Sequence, residues 1–142
     1  MDEFYLARFD YELNELESYY RGRFFVTPAE VRSQLEGLCL LVDADPDGKM
    51  QYLERFQRIV DHLKSTKSST MASKDLHVLG FCMRHLKWGE IGEALKSIFP
   101  DVICPDRRLK IEVIIRGVYD PEWKDGCFAL KAPILSEWDD LA

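Results

Sequence analysis

Apolar residues recur at spacings of three and four along most of this chain, and that period fits helices that each bury one face. Residues 3–21 carry the first such stripe in Leu6, Phe9, Leu13, Leu16 and Tyr20, with Asp10, Glu12, Glu15 and Glu17 on other faces and Gly22 as a natural stop. Thr27 and Glu30 then form a capping box around Pro28 at a first helical position. The helix they open has Val31, Leu35, Leu38, Cys39 and Val42 inward. A third helix running to about Leu63 turns Leu53, Phe56, Val60 and Leu63 inward. A fourth spans about Lys74 to Lys87, with Leu76, Leu79, Met83 and Leu86 as its stripe. Trp88-Gly89 breaks it, and a short fifth helix with Ile91, Leu95 and Ile98 stops at Pro100.

Two stretches escape this period. Residues 64–74, rich in Ser, Thr and Lys, read as an exposed, flexible linker. Further on, Leu109, Ile111, Val113 and Ile115 alternate with Lys110, Glu112 and Arg116. β-branched residues in alternation favour a strand, although Ile114 breaks the pattern and a helix ending before Gly117 is the alternative. Asp120-Pro121 and Lys124-Asp125-Gly126 are turn chemistry, so Cys127 to Lys131 would return as a second strand. The expected fold is mainly α: one domain over 1–142, a bundle of helix hairpins with a two-stranded β-hairpin near the C-terminus. A domain of 142 residues buries roughly two-thirds of its unfolded surface, so it needs no metal or disulfide to fold.

The net charge of −6 argues against a nucleic-acid binder and permits a basic partner. No apolar run approaches the length of a membrane span, and the start Met1-Asp2-Glu3 has neither the basic nor the apolar region of a secretory signal. Cys39, Cys82, Cys104 and Cys127 are scattered and form no C-x-x-C pair, so reduced thiols in a cytoplasmic protein are expected.

One stretch carries metal-ligand spacing. Asp43, Asp45 and Asp47 precede Gly48, and Glu54 stands at the twelfth position counted from Asp43. This resembles the calcium loop of the EF-hand family. The resemblance covers residues 35–60 at most. It implies side-chain oxygens from Asp43, Asp45 and Asp47, a backbone carbonyl from Lys49, water-mediated contact from Gln51 and a two-oxygen clamp from Glu54. Pro46 departs from the pattern by restricting Asp45 and deleting an N–H, Arg55 stands where an apolar residue is usual, and no second loop follows. A helix start explains the same residues: Asp45 as N-cap, Pro46 as first helical residue, and Asp47 as charge near the positive helix end. The expectation is therefore no cofactor, with Ca²⁺ the alternative.

His62, His77 and His85 are the three histidines. His77 and His85 share a helix face with Phe81, and Cys82 sits one turn before His85, which reads as a buried, inert thiol beside a core stripe. The chain has no glycine-rich phosphate loop, no G-x-S-x-G and no H-E-x-x-H. An enzyme of unrecognised type would show itself by a pocket holding His77 or His85 with a carboxylate.

The surface gives the remaining signal. Tyr5, Tyr11 and Tyr19 lie off the first stripe among acids, and Trp138 lies among Glu137, Asp139 and Asp140. Aromatic anchors ringed by charge suit a protein–protein interface, in which the acids steer a basic partner. In size, acidity and lack of catalytic motifs the whole chain resembles bacterial immunity proteins that neutralise nuclease or other toxins. The helix break Arg84-His85-Leu86-Lys87-Trp88-Gly89-Glu90 adds to that likeness. The resemblance implies a non-enzymatic inhibitor whose acidic side chains occupy a basic cleft.

Overall fold

The computed structural model describes residues 3–22 and 28–122, and among them every regular element is helical. Six α-helices follow in order: α1 (Glu3–Tyr20), α2 (Pro28–Asp43), α3 (Lys49–Ser65), α4 (Ser69–Leu86), α5 (Gly89–Ile98) and α6 (Pro105–Tyr119). Short 3₁₀ turns at Pro46–Gly48 and Phe99–Asp101 lead out of α2 and α5. The helical bundle expected from the periodicity is present.

The centre of the bundle is α4. Its residues 75–84 are all buried, so every face of the helix is covered. A helix that is apolar nearly all round belongs in the interior. Helices α1, α2, α3 and α6 all pack on it, and α5 packs between α3 and α6. Phe9 of α1 meets Tyr52 and Phe56 of α3 edge-on, with centroids 5.1 and 5.7 Å apart, and Phe56 in turn meets Trp88 at 5.8 Å. Offset and edge-to-face pairs of this kind add to plain area burial.

Two expectations need correction. The linker expected over 64–74 shrinks to residues 66–68, because α3 runs through Ser65 and α4 begins at Ser69. Ser68 caps α4 by accepting from the Met71 N–H at 3.1 Å, so a Ser/Thr-rich segment that reads as loop chemistry here starts a helix. Met71 and Ala72, in the same segment, are buried. Arg107 Nη1 donates to the carbonyls of Leu63 and Thr66, at 3.2 and 2.9 Å, and satisfies the end of α3.

The strand expected over Leu109–Arg116 is helix α6. Pro105 sits in its first turn, and the pairs Asp106–Lys110 and Glu112–Arg116 support it at helical spacing. Its buried stripe is Ile111, Ile114 and Val118, at spacings of three and four. Ile114, the residue that spoiled the alternation, is a core residue, and Leu109 is exposed. The helix runs past Gly117 to Tyr119. The second expected strand, Cys127 to Lys131, lies outside the described residues.

The last residue of α4's C-terminal turn ties two helices together. Lys87 takes the left-handed conformation at φ 53°, and its Nζ donates to the carbonyls of Gly117 and Asp120 at 3.2 and 2.6 Å. The end of α6 is thus capped by the end of α4.

The helical register of α6 makes a direct prediction. Ile114→Ala should cost about 2–5 kcal/mol in urea unfolding, whereas Leu109→Ala should stay within about 0.5 kcal/mol. A strand with the alternating face inward would reverse that order.

Candidate functional site

The first helix carries the most unusual surface. Its eighteen residues include five carboxylates, Glu3, Asp10, Glu12, Glu15 and Glu17, against one basic residue, Arg8. Phe4, Arg8, Tyr11 and Glu15 follow at helical spacing and share one face. Phe4 is 74% exposed and Tyr11 is 52% exposed, a large apolar exposure for residues two turns apart on one helix face. Arg8 bridges the face: its guanidinium lies 5.2 Å from the Tyr11 ring centroid and 2.7 Å from Glu12. Glu12 also accepts from the amide of Gln34, which fixes this turn of α1 against α2.

Of the aromatic residues expected to bind a partner, Tyr5 and Tyr19 are half-buried at the margins of this face and Tyr11 stands out in solvent. Tyr5 lies beside Phe4, with ring centroids 6.2 Å apart. Tyr19 packs against the core, and burial followed by the nearby carboxylates, Glu15 first among them, raises its phenol above the ordinary range. Phe4 was not legible as a site residue: it lies next to the Leu6 stripe without belonging to it, and that misfit was the available signal. Glu137, Trp138, Asp139 and Asp140 lie outside the described residues.

The aspartate loop resolves into separate contacts. Asp43 ends α2 and its Oδ2 lies 2.5 Å from His85 Nε2. Asp45 is buried and its Oδ2 accepts from the Tyr52 hydroxyl at 2.8 Å. Asp47 is exposed in the 3₁₀ turn, Lys49 pairs with Glu90 at 3.1 Å, and Glu54 pairs with Arg58. Asp45 does stand at an N-cap with Pro46 following, but the element it opens is the 3₁₀ turn, since α3 itself is preceded by Gly48, and the Asp45 side chain makes no capping bond and goes to Tyr52 instead. Gly48 is needed for that contact. A Cβ there would lie 2.7 Å from Asp45 Oδ2 and 2.9 Å from the Tyr52 ring. Among the described residues no group of three or more His, Cys, Asp or Glu side chains is arranged to hold a metal ion.

The histidines also separate. His85 stays on the surface with Asp43. His77 is buried, its Nδ1 hydrogen-bonded to the Tyr20 hydroxyl across the α1–α4 contact. Burial, and then the charge of Lys110, push His77 down to about 3. Cys82 is buried beside Cys39, and that contact, followed by burial, holds its thiol well above the ordinary value. His62, which the sequence did not single out, is the histidine that meets a carboxylate in a groove: its Nδ1 lies 2.6 Å from Oδ2 of fully buried Asp75. The signal was weak, because Asp75 reads as an ordinary polar residue one position before a core leucine.

Compared with known proteins, the chain matches no family model, no curated protein and no solved structure. No described helix is long and apolar enough to cross a membrane.

Buried His77 sets a pH dependence. Its folded pKa of about 3 lies below the 6.5 of an unperturbed imidazole, so between these values the unfolded chain takes up a proton that the folded protein refuses. Stability is therefore whole above pH 6.5 and falls as the pH drops toward 3, by about 2 kcal/mol at pH 5. Urea midpoints at pH 7.5 and pH 5 measure the loss, and His77→Gln should remove most of it.

Proposed function

We propose that this protein is a non-enzymatic binding protein that blocks a basic protein partner, of the kind an immunity protein offers to a toxin. The observation that carries the reading is the face of α1 on which Phe4 and Tyr11 stand exposed in a helix with five carboxylates and one arginine. Aromatic anchors supply contact that excludes water, and they lose little side-chain entropy when they are fixed. Glu15, which shares their face, and the unbalanced acidity of the helix attract a cationic surface and raise the association rate. The net charge of −6 extends the same field over the whole chain. The face is firmly held, since Phe9 of the same helix packs on Tyr52 and Phe56, so the anchors are presented by a rigid element. The cytosol is the compartment in which this inhibition would operate, in keeping with scattered cysteines.

The test is co-expression with the basic product of a neighbouring gene. The expected outcome is co-purification as a complex and relief of that product's toxicity. Phe4→Ala and Tyr11→Ala should each weaken the complex by about 2 kcal/mol, as anchor residues do. Raising salt should slow association more than it speeds dissociation. A chain that neither binds the product nor relieves its toxicity is not an immunity protein for it, and anchors that can be removed without effect would move the interface off α1.

A further inference from the structure

We propose that a groove between α1, α3 and α4 binds a phosphate group of a small ligand through Arg58, His62 and Lys74. This goes beyond the partner-blocking role of α1 and stands on different residues.

The groove has a volume of about 470 Å³, in the range of small-molecule sites. Leu13 and Ile59 give it apolar wall, and the rest of its lining is polar. Its charges cancel in sum, so charge alone does not choose a ligand. The hydrogen bonds do. Each carboxylate in the lining is already held by a cation. Asp10 takes Arg55 with both oxygens, Oδ1 to Nε at 3.0 Å and Oδ2 to Nη2 at 3.1 Å. Glu17 takes Arg21 Nη2 at 2.8 Å. Asp75 takes His62 on Oδ2 at 2.6 Å and has Lys74 Nζ 3.0 Å from Oδ1.

The donors are left over. Arg58 spends one guanidinium nitrogen on Glu54, and its other N–H groups have no protein partner among the described residues. His62 gives its Nδ1–H to Asp75, so Nε2, which has no partner there either, is a donor in the imidazolium form that a bound anion stabilises. Lys74 has three N–H bonds and one neighbour, Asp75, which it approaches off the hydrogen-bonding direction, so Oδ1 has an ion pair but no hydrogen bond. Arg58 and His62 stand one turn apart on α3 and project to the same side.

Asp75 is the second observation. It is fully buried, and a buried carboxylate costs stability that an apolar side chain of similar size would not. What it does in this position is hold His62 and Lys74 at the groove wall, with one oxygen each. A fixed imidazole, an ammonium and a guanidinium around one space need an anion with three acceptor oxygens. A phosphate group has three and carries nearly two charges, whereas a carboxylate has two oxygens and one charge. Glu17 is the opposing element: its carboxylate is close enough to Lys74 and His62 for their charges to lower its pKa, after the larger effect of Arg21.

The experiment titrates the full chain with inorganic phosphate and with a nucleoside monophosphate. Calorimetry reads the binding, and NMR reads the His62 imidazole resonances. Saturable binding that moves the His62 signals is expected. Arg58→Ala and Lys74→Met should each weaken it by about tenfold, as loss of a charge-assisted contact does. Glu17→Gln, a surface change that leaves the fold intact, should tighten it. Similar affinity for both probes identifies the ligand as free phosphate, and clearly tighter binding of the monophosphate identifies a phosphate ester. Absence of saturable binding with either probe overturns the proposal. So does binding that is unchanged in Arg58→Ala and Lys74→Met. Partner capture through Phe4 and Tyr11 is read separately, so failure of one reading leaves the other standing.

Discussion

Everything in this bundle is arranged around a helix that has no outside. Ten consecutive residues of α4, Asp75 to Arg84, are buried, and three of them are polar. A buried polar group without a partner costs more than a typical packing defect, so the neighbours of α4 are constrained in chemistry as well as in shape. α3 answers Asp75 with His62, and α1 answers His77 with Tyr20. The Arg84 guanidinium lies 4.8 Å from the Phe81 ring on the same helix. These partnerships fix the rotation of α1 and α3 about α4. The groove between those two helices is a consequence of that fixing.

The period of three and four made the fold readable where helices bury one face. It failed in two places, for related reasons. In α6 the half-buried residues Val113 and Ile115 flank the buried Ile114, so the apolar band is broad enough to imitate alternation. Only position 114 distinguished the two readings, and it pointed the right way. At the start of α4 the polar residues Ser69, Thr70 and Ser73 hid a helix whose capping serine lies just outside it. Local chemistry there describes the first turn of a helix as well as it describes a loop, and the tertiary contacts of Met71 and Ala72 decide the matter.

The aspartate loop shows why spacing along the chain is not geometry. An ion cage needs side chains that converge, whereas successive positions of a tight turn diverge unless the backbone is shaped to bring them together. Here Gly48 lies so close to the Tyr52 ring and to Asp45 that a Cβ would not fit between them. Asp45 turns inward to a phenol and Asp43 outward to His85. The same spacing that resembles an ion-binding loop serves to join α2 to α3 and to anchor the turn in the core. By contrast His62 and Asp75 lie on different helices, so no motif along the chain announces them, and only the packing of α3 against α4 brings them within 2.6 Å.

Helix α1 contributes to both surfaces of interest, with Phe4 and Tyr11 facing solvent and Asp10 and Glu17 on the groove. Coupling between them would require α1 to take two positions, since a ligand shifts only an equilibrium whose states it binds differently. The packing opposes that. Phe9 is locked between Tyr52 and Phe56, Asp10 holds Arg55 with both oxygens, and Tyr20 is bonded to buried His77, so the helix is fastened in its middle and at its C-terminal end. Rotation of α1 would break a charge-assisted pair and strand a buried imidazole at once, and a phosphate group held by α3 and α4 and opposed by Glu17 has no favourable contact on α1 with which to offset that cost. The two surfaces on α1 are therefore mechanically independent, and occupancy of the groove should leave the affinity of the α1 face for a basic partner unchanged.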